Sequence, residues 1–196
     1  ENINANNNDI YITGDIGYGY DSNQNTVIDG QTLIGEQDAF IRKIDFNGDV
    51  EWFKIIGTTQ QDSSNVIEVS EQNGSIYIGG FTFGNLDGES NSGEEDGFIS
   101  NYSSDGTLLW TKLIGGPDSV RVTDLVIGNN GSIYVTGDTT AGLNNHDAIG
   151  DRDIFVSKFS GDGTEDWTIL LGTEDSDSVN SITLGDNGYL YLAGES

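Results

Sequence analysis

Three short strings recur along this chain at a nearly constant interval, and that interval constrains the fold more than any property of composition. Asp38-Ala39-Phe40, Asp96-Gly97-Phe98 and Asp153-Ile154-Phe155 lie 58 and 57 residues apart, and Trp52, Trp110 and Trp167 keep the same spacing. Tyr77, Tyr134 and Tyr191 follow at 57 and 57, while Tyr11 precedes Tyr77 by 66. A period this long, held over several positions, marks a repeat array in which each unit buries its faces against its neighbours.

Each period has the same internal layout. Asp38 opens a strand over Phe40–Phe46, Asn47-Gly48 turns the chain, and Val50–Ile56 forms a second strand. The pair Asn-Gly between apolar runs is a hairpin signal, because both residues tolerate positive φ. A third strand is placed near Val66–Val69, Asn73-Gly74 turns again, and Ser75–Phe81 is the fourth. The next rounds place strands near Phe98–Tyr102, Leu108–Ile114, Val122–Ile127, Ser132–Thr136, Phe155–Phe159, Trp167–Leu171, Ser181–Leu184 and Tyr189–Ala193. Upstream, Ile10 to Asp15 alternates as a strand, Glu1 to Asn8 is polar with Ile3 and Ala5 as strand remnants, and Ile16 to Gln37 reads as one long loop. No stretch carries a helical period. Four antiparallel strands per period predict an all-β fold, a β-propeller segment of about three and a half blades of 57–58 residues. The units run approximately over 1–57, 58–115, 116–172 and 173–196, with only the last three strands of the first blade and the first two of the last. The absence of Met and the start at Glu1 suggest a piece of a longer chain.

With 33 acidic against 7 basic residues, the formal net charge is −26. Phosphate backbones and anionic membranes are poor partners for such a surface. No apolar run approaches the roughly 18 residues of a membrane span. There is no Cys, so disulfides and thiolate chemistry are excluded.

The string Asp38-Ala39-Phe40-Ile41-Arg42-Lys43-Ile44-Asp45, continued through Asn47-Gly48 and Trp52 to Ile56-Gly57, resembles the bacterial β-propeller repeat (SBBP) family. So do Asn73-Gly74-Ser75-Ile76-Tyr77-Ile78-Gly79-Gly80 and Asn130-Gly131-Ser132-Ile133-Tyr134-Val135-Thr136-Gly137. The resemblance implies a large secreted or cell-surface bacterial protein. It carries no catalytic residues to transfer. The long segment Ile16–Gln37 departs from the family's regularity.

Strand direction places two loop classes on one rim. One class ends in Gly35-Glu36-Gln37-Asp38, Gly93-Glu94-Glu95-Asp96 and Gly150-Asp151-Arg152-Asp153; the other contributes Asp62, Asp118, Asp175 and Asp177. Arg42, Lys43, Lys54, Lys112 and Lys158 fall in the third and fourth strands instead, leaving this rim acidic. Two carboxylates about 5 Å apart repel by roughly 3 kcal/mol at an effective dielectric near 20, so convergent ones need a proton, a cation or distance. Oxygen ligands beside turn glycines suit Ca2+. The competing role of the same residues is to cap turns by accepting backbone N–H bonds. Candidate metal ligands are therefore Asp62, Asp118, Asp175 and Asp177, with Asp38, Asp96, Asp153, Glu36, Glu94 and Asp151 as the second set. The lone histidine, His146, sits in a loop and reads as a solvated side chain.

An extracellular scaffold for binding or assembly follows, meeting a protein or glycan at the acidic rim and completed by remaining blades or neighbouring chains. The alternative is a carboxylate-dependent polysaccharide hydrolase or lyase, which requires two acids facing an open cleft.

Overall fold

The computed structural model describes residues 2–6, 9–17 and 27–196, and among these every regular element is a strand. In order they are β1 (Asn2–Asn6), β2 (Asp9–Ile16), β3 (Val27–Ile28), β4 (Gln31–Thr32), β5 (Asp38–Asp45), β6 (Val50–Ile56), β7 (Asp62–Val69) and β8 (Ile76–Thr82). Then follow β9 (Asp96–Tyr102), β10 (Leu108–Ile114), β11 (Val120–Ile127), β12 (Ile133–Thr139), β13 (Asp153–Phe159), β14 (Glu165–Leu171), β15 (Ser178–Leu184) and β16 (Leu190–Glu195). They form three four-stranded antiparallel sheets, β1-β2-β5-β6, β7-β8-β9-β10 and β11-β12-β13-β14, then the two-stranded sheet β15-β16.

Two readings of the N-terminal region change. Asn2–Asn6 is a complete strand in register with Asp9–Thr13, so the first sheet has four strands, not three. The segment expected to be one loop contains the short hairpin β3-β4, with Val27 opposite Thr32; residues 18–26 lie outside the described residues. Strands also begin earlier than the apolar runs suggest. Asp38, Asp96 and Asp153 are the first residues of β5, β9 and β13, and β7 begins at Asp62.

The repeat holds at the level of single pairings. Phe40, Phe98 and Phe155 each stand between a glycine of the second strand (Gly14, Gly80, Gly137) and an aliphatic residue of the fourth (Ile55, Leu113, Leu170). The first strands of the last three sheets break register at the same place, around Asn65, Thr123 and Asn180. Such a bulge sharpens the local twist.

Both faces of the middle sheet are covered, and all of β9 is buried. One apolar layer, with Ile41, Ile56, Ile67 and Ile78, lies between the first and second sheets. Another, with Val66, Ile99, Val122 and Val135, lies between the second and third. The first strands neighbour one another, β1 on β7, β7 on β11 and β11 on β15. Asn65 Nδ2 donates to the Val122 carbonyl at 2.8 Å, and the Ile182 N–H donates to Asp124 Oδ2 at 2.8 Å, one bond at each of two successive junctions.

The tryptophans stitch the outer strands together. Each packs on the second-strand tyrosine of its own sheet: Tyr11 with Trp52 at 6.2 Å between ring centres, Tyr77 with Trp110 at 6.0 Å, Tyr134 with Trp167 at 6.3 Å. Trp52 Nε1 then donates to the Ser104 carbonyl of the next sheet, and Trp110 Nε1 to the Gly161 carbonyl of the one after, both at 3.2 Å. These carbonyls belong to tight turns whose glycines lie flat on the indoles. Gly106 and Gly163 have φ of 80° and 83°, and a β-carbon there would stand 3.1 Å from Trp52 Cδ2 and 3.0 Å from Trp110 Cδ2.

Gly48, in the first sheet's equivalent turn, has φ of 90° but nothing within 4 Å of where its β-carbon would be. Gly48→Ala is therefore expected to cost only the left-handed backbone term, about 1–2 kcal/mol. Gly106→Ala adds overpacking against Trp52, about 1–3 kcal/mol more. Chemical denaturation of both variants measures the gap; equal losses would show that the indole contact does not hold the sheets.

Candidate functional site: the acidic loop rim

The two loop classes expected to share a rim do meet. Gln37 bridges Gln61, Glu95 bridges Ser119 and Arg152 bridges Ser176, each in parallel sense. The N–H groups of Asp62, Val120 and Asp177 donate to the carbonyls of Gln37, Glu95 and Arg152, all at 2.9 Å. The loop entering the third strand is thus clasped to the loop entering the next sheet.

This clasp accounts for the repeated Gly-x-x-Asp. Gly35, Gly93 and Gly150 press against the backbone of the opposing loop: a β-carbon would lie 2.6 Å from the Thr58 carbonyl oxygen, 2.6 Å from that of Gly116 and 2.5 Å from that of Thr173. The aspartates fix the loop by accepting hydrogen bonds. Asp38 Oδ2 accepts from the Ile34 N–H at 2.7 Å, Asp153 Oδ2 from the Ile149 N–H at 2.7 Å, and Asp96 Oδ2 from the Ser92 N–H at 2.8 Å. On the opposing loop, Asp62 Oδ2 accepts from the Thr58 N–H at 2.6 Å and its hydroxyl at 3.0 Å; Asp177 Oδ2 does so from Thr173 at 2.6 and 3.1 Å.

The candidate residues separate into two populations. Asp38, Asp62, Asp96, Asp153 and Asp177 are buried and engaged as turn anchors, whereas Glu36, Glu94, Asp118, Asp151 and Asp175 are exposed. Asp62 and Asp177 are equivalent, and the middle junction carries Val120 at that position; Asp118 and Asp175 stand two residues earlier on the loop. Two buried pairs result. Around Gly57, a β-carbon would collide with Asp38 Oδ1 and stand 3.1 Å from Asp62 Oδ2; around Gly172 it would stand 2.6 Å from Asp153 Oδ1 and 3.0 Å from Asp177 Oδ2. Among the described residues, no three or more His or acidic side chains are gathered as a metal would need.

Burial pushes the Asp62 carboxyl above its usual range against hydrogen bonds from Thr82 and Thr58, and the neighbouring Asp38 charge adds to the rise. Asp38 is also raised by burial, opposed by the N–H groups of Ile34 and Gly35. Hydrogen bonding, first from Ser196 and then from the Thr173 backbone, holds Asp177 low.

One rim pair was invisible in the sequence. Glu95, with 3% of its side chain exposed, takes Arg121 Nε at 2.5 Å and Nη2 at 2.9 Å in a bidentate bond. The Arg121 guanidinium lies 4.6 Å over the Phe81 ring. The pair lies 26 residues apart in the chain, beyond the reach of any local spacing rule. His146 is exposed; its backbone closes a turn with Leu143.

Repeated four-stranded antiparallel sheets, closed by Gly-x-x-Asp corners and tryptophan-capped turns, define the chain as an all-β repeat protein. Residues 109–144, from β10 to the loop after β12, match the family model described as SBBP, Beta-propeller repeat. The chain is also similar to "Regulatory protein FlaEY" of Caulobacter vibrioides (strain ATCC 19089 / CIP 103742 / CB 15). It is 28% identical over 200 residues, a match covering 94% of this chain and 20% of that protein. The chain therefore spans about a fifth of the length of that curated relative.

A sign follows for the Asp38–Asp62 pair. Because both folded-state values are raised above the ordinary 3.8, the folded state prefers the protonated acids. Their contribution to stability is fully present below that ordinary value and is lost as pH rises through the folded ones. Asp62→Asn keeps an acceptor for Thr58 while removing the charge, so its stability should fall less than wild type between pH 4 and 7. Asp62→Ala, which orphans the Thr58 donors, should cost about 1–3 kcal/mol throughout. Urea titrations across that range test both; parallel pH profiles for wild type and Asp62→Asn would remove the buried acid from the account.

Proposed function

We propose that this chain is a β-propeller segment serving as a non-catalytic binding or assembly scaffold outside the cell, with its sheets as blades around an axis lined by β1, β7, β11 and β15. The observation that carries the proposal is the side-by-side packing of these four first strands, with fourth strands reaching across to the next sheet's turn through Trp52 and Trp110. Four-stranded units stacked radially in this manner are how propellers bury both faces of each sheet. The match of residues 109–144 to the SBBP repeat supports the same architecture. The relative this chain resembles is named a regulatory protein, and a binding scaffold is compatible with that name.

The acidic rim is the proposed contact surface. Its inner carboxylates are committed to backbone N–H groups, so the outer set, Glu36, Glu94, Asp118, Asp151 and Asp175, is what meets a protein or glycan. The same oxygens would hold Ca2+. The polysaccharide-cleaving alternative loses support because the paired acids, Asp38 with Asp62 and Asp153 with Asp177, are buried and take backbone N–H bonds instead of facing an open cleft.

Small-angle scattering from the isolated chain should show one compact wedge; a profile of sheets strung loosely apart would end the propeller assignment. Thermal unfolding in millimolar Ca2+ against excess chelator, at fixed ionic strength, tests the cation. Binding raises the midpoint in proportion to RT ln(1 + [L]/Kd), and an unchanged midpoint reduces the outer carboxylates to solubilising charge.

A further inference from the structure

One position of the repeat departs from its counterparts where the second and third sheets meet at their tight-turn ends. Lys43 stands opposite Tyr11 and Trp52, and Lys158 opposite Tyr134 and Trp167. The bulged residue before each of these tryptophans is an acid that neutralises the lysine. Glu51 lies 2.8 Å from Lys43 Nζ, and Asp166 lies 2.6 Å from Lys158 Nζ. In the first sheet Asp9 adds a second carboxylate at 2.8 Å, and the ammonium sits 5.8 Å over the Tyr11 ring. The second sheet carries none of these charges. Asn101 stands opposite Tyr77 and Trp110, and Leu109 is the bulged residue. Ser75 takes the place of Asp9, two residues before the tyrosine.

The exchange leaves both a space and an unanswered group. A cavity of about 430 Å³ lies between the two sheets, with Ser75, Tyr77, Asn101, Leu109, Trp110 and Ile127 in its walls. Both of those sheets are complete four-stranded units. The crevice is bridged on either side of the cavity. The Gln72 side chain donates to the Asn129 carbonyl, and Trp110 Nε1 donates to the Gly161 carbonyl at 3.2 Å. Asn101 is only 3% exposed, and its Oδ1 accepts no hydrogen bond among the described residues. Buried side-chain oxygens are normally paired. This one belongs to a cavity wall, where a bound molecule can reach it.

We propose that this cavity binds a neutral sugar unit, with Asn101 Oδ1 accepting a hydroxyl of the ligand and Tyr77, Trp110 and Leu109 covering its C–H face. The volume falls in the range of small-molecule sites, about 300–1,000 Å³. The lining selects among ligand classes. It contains no Lys or Arg, so a phosphate or carboxylate would enter without a counter-charge. Its one carboxylate, Asp162, already accepts from the Ser160 hydroxyl at 2.7 Å and the Thr164 N–H at 3.0 Å, which leaves a metal ion without a ligand set. A purely apolar molecule would seal Asn101 away unpaired. A sugar matches what remains, because it presents hydroxyls on its edge and C–H groups on its face. The site lies at the opposite end of the sheets from the acidic rim, and it needs only the second and third sheets and their contact.

The test titrates the isotope-labelled full chain with glucose, galactose, mannose and N-acetylglucosamine in turn, and with glucuronate as the charged control. Nuclear magnetic resonance follows the Trp110 indole and the Asn101 side-chain amide. At least one neutral sugar should shift both signals saturably, with a Kd on the order of 1 mM, and glucuronate should not. Asn101→Lys combined with Leu109→Glu rebuilds the ion pair of the first sheet and fills the cavity. This variant should keep the circular dichroism of the wild type and bind the sugar at least about tenfold more weakly. Leu109→Glu alone alters a position that is 53% exposed, so it keeps the test open if the double variant does not fold; it should weaken binding several-fold. Saturable shifts from none of the four sugars would leave the cavity to water and overturn the proposal. So would an equal response to glucuronate, or undiminished binding in the folded variants. Shifts confined to Glu36, Glu94 and their neighbours would also overturn it, by moving the sugar to the acidic rim.

Discussion

A sheet with large apolar side chains on both faces cannot stand alone in water, and every other feature of this molecule is arranged around that fact. Strand β9 has no exposed residue, so the second sheet exists only because the first and third lie against it. Burying one large apolar side chain contributes about 1.5–3 kcal/mol. A sheet stripped of one neighbour forfeits several such contributions at once, more than the marginal stability of a typical domain can absorb. The tryptophan–turn contact sets the rotation between sheets at their outer ends, while Asn65 and Asp124 set it near their inner ends.

The strongly acidic composition plays two roles that the structure keeps apart. Where carboxylates are buried they replace missing peptide partners at corners, each accepting N–H bonds that would otherwise be lost in turns without regular pairing. Where they are exposed they carry most of the net charge of −26. The few cations are spent locally: Lys43 sits 2.8 Å from both Asp9 and Glu51, Lys112 is 2.7 Å from Glu89 and Lys158 is 2.6 Å from Asp166. A surface pair such as Lys112–Glu89 contributes little, typically about 0–1 kcal/mol. The Glu95–Arg121 pair differs because its carboxylate is enclosed.

The number of strands, the turn positions and the equivalence of the Phe, Trp and Tyr positions were legible because Asn-Gly and Asp-Gly punctuate the chain and apolar runs between them are short. Strand β1 was only hinted at: Ile3 and Ala5 alternate with Asn2, Asn4 and Asn6, but asparagine is depleted in strands and Ile3 is 63% exposed. It is held by backbone register and by Asn2 and Asn4, whose amides reach Asn65 and Glu68. The Gly-x-x-Asp string was visible, but its purpose was not. A carboxylate beside a glycine-rich bend serves a cation or a backbone amide equally well, and only the position of the opposing loop distinguishes them. The different roles of Asp62 and Asp118 likewise depend on a two-residue offset that loop spacing alone does not reveal.

The clasp at the rim separates the architecture from the loops it closes. Gln37, Glu95 and Arg152 are tied to the opposing loop by the same backbone bond, although residues 17–37 separate β2 from β5 while only 83–95 and 140–152 separate the corresponding strands of the next two sheets. Lengthening a loop whose ends are already fixed is cheap, about 0.6 kcal/mol for each doubling. Insertions behind the clasp can accordingly accumulate unit by unit without disturbing the sheets. Each corner then behaves as a socket into which evolution, or an engineer, could fit a recognition loop of arbitrary length and chemistry.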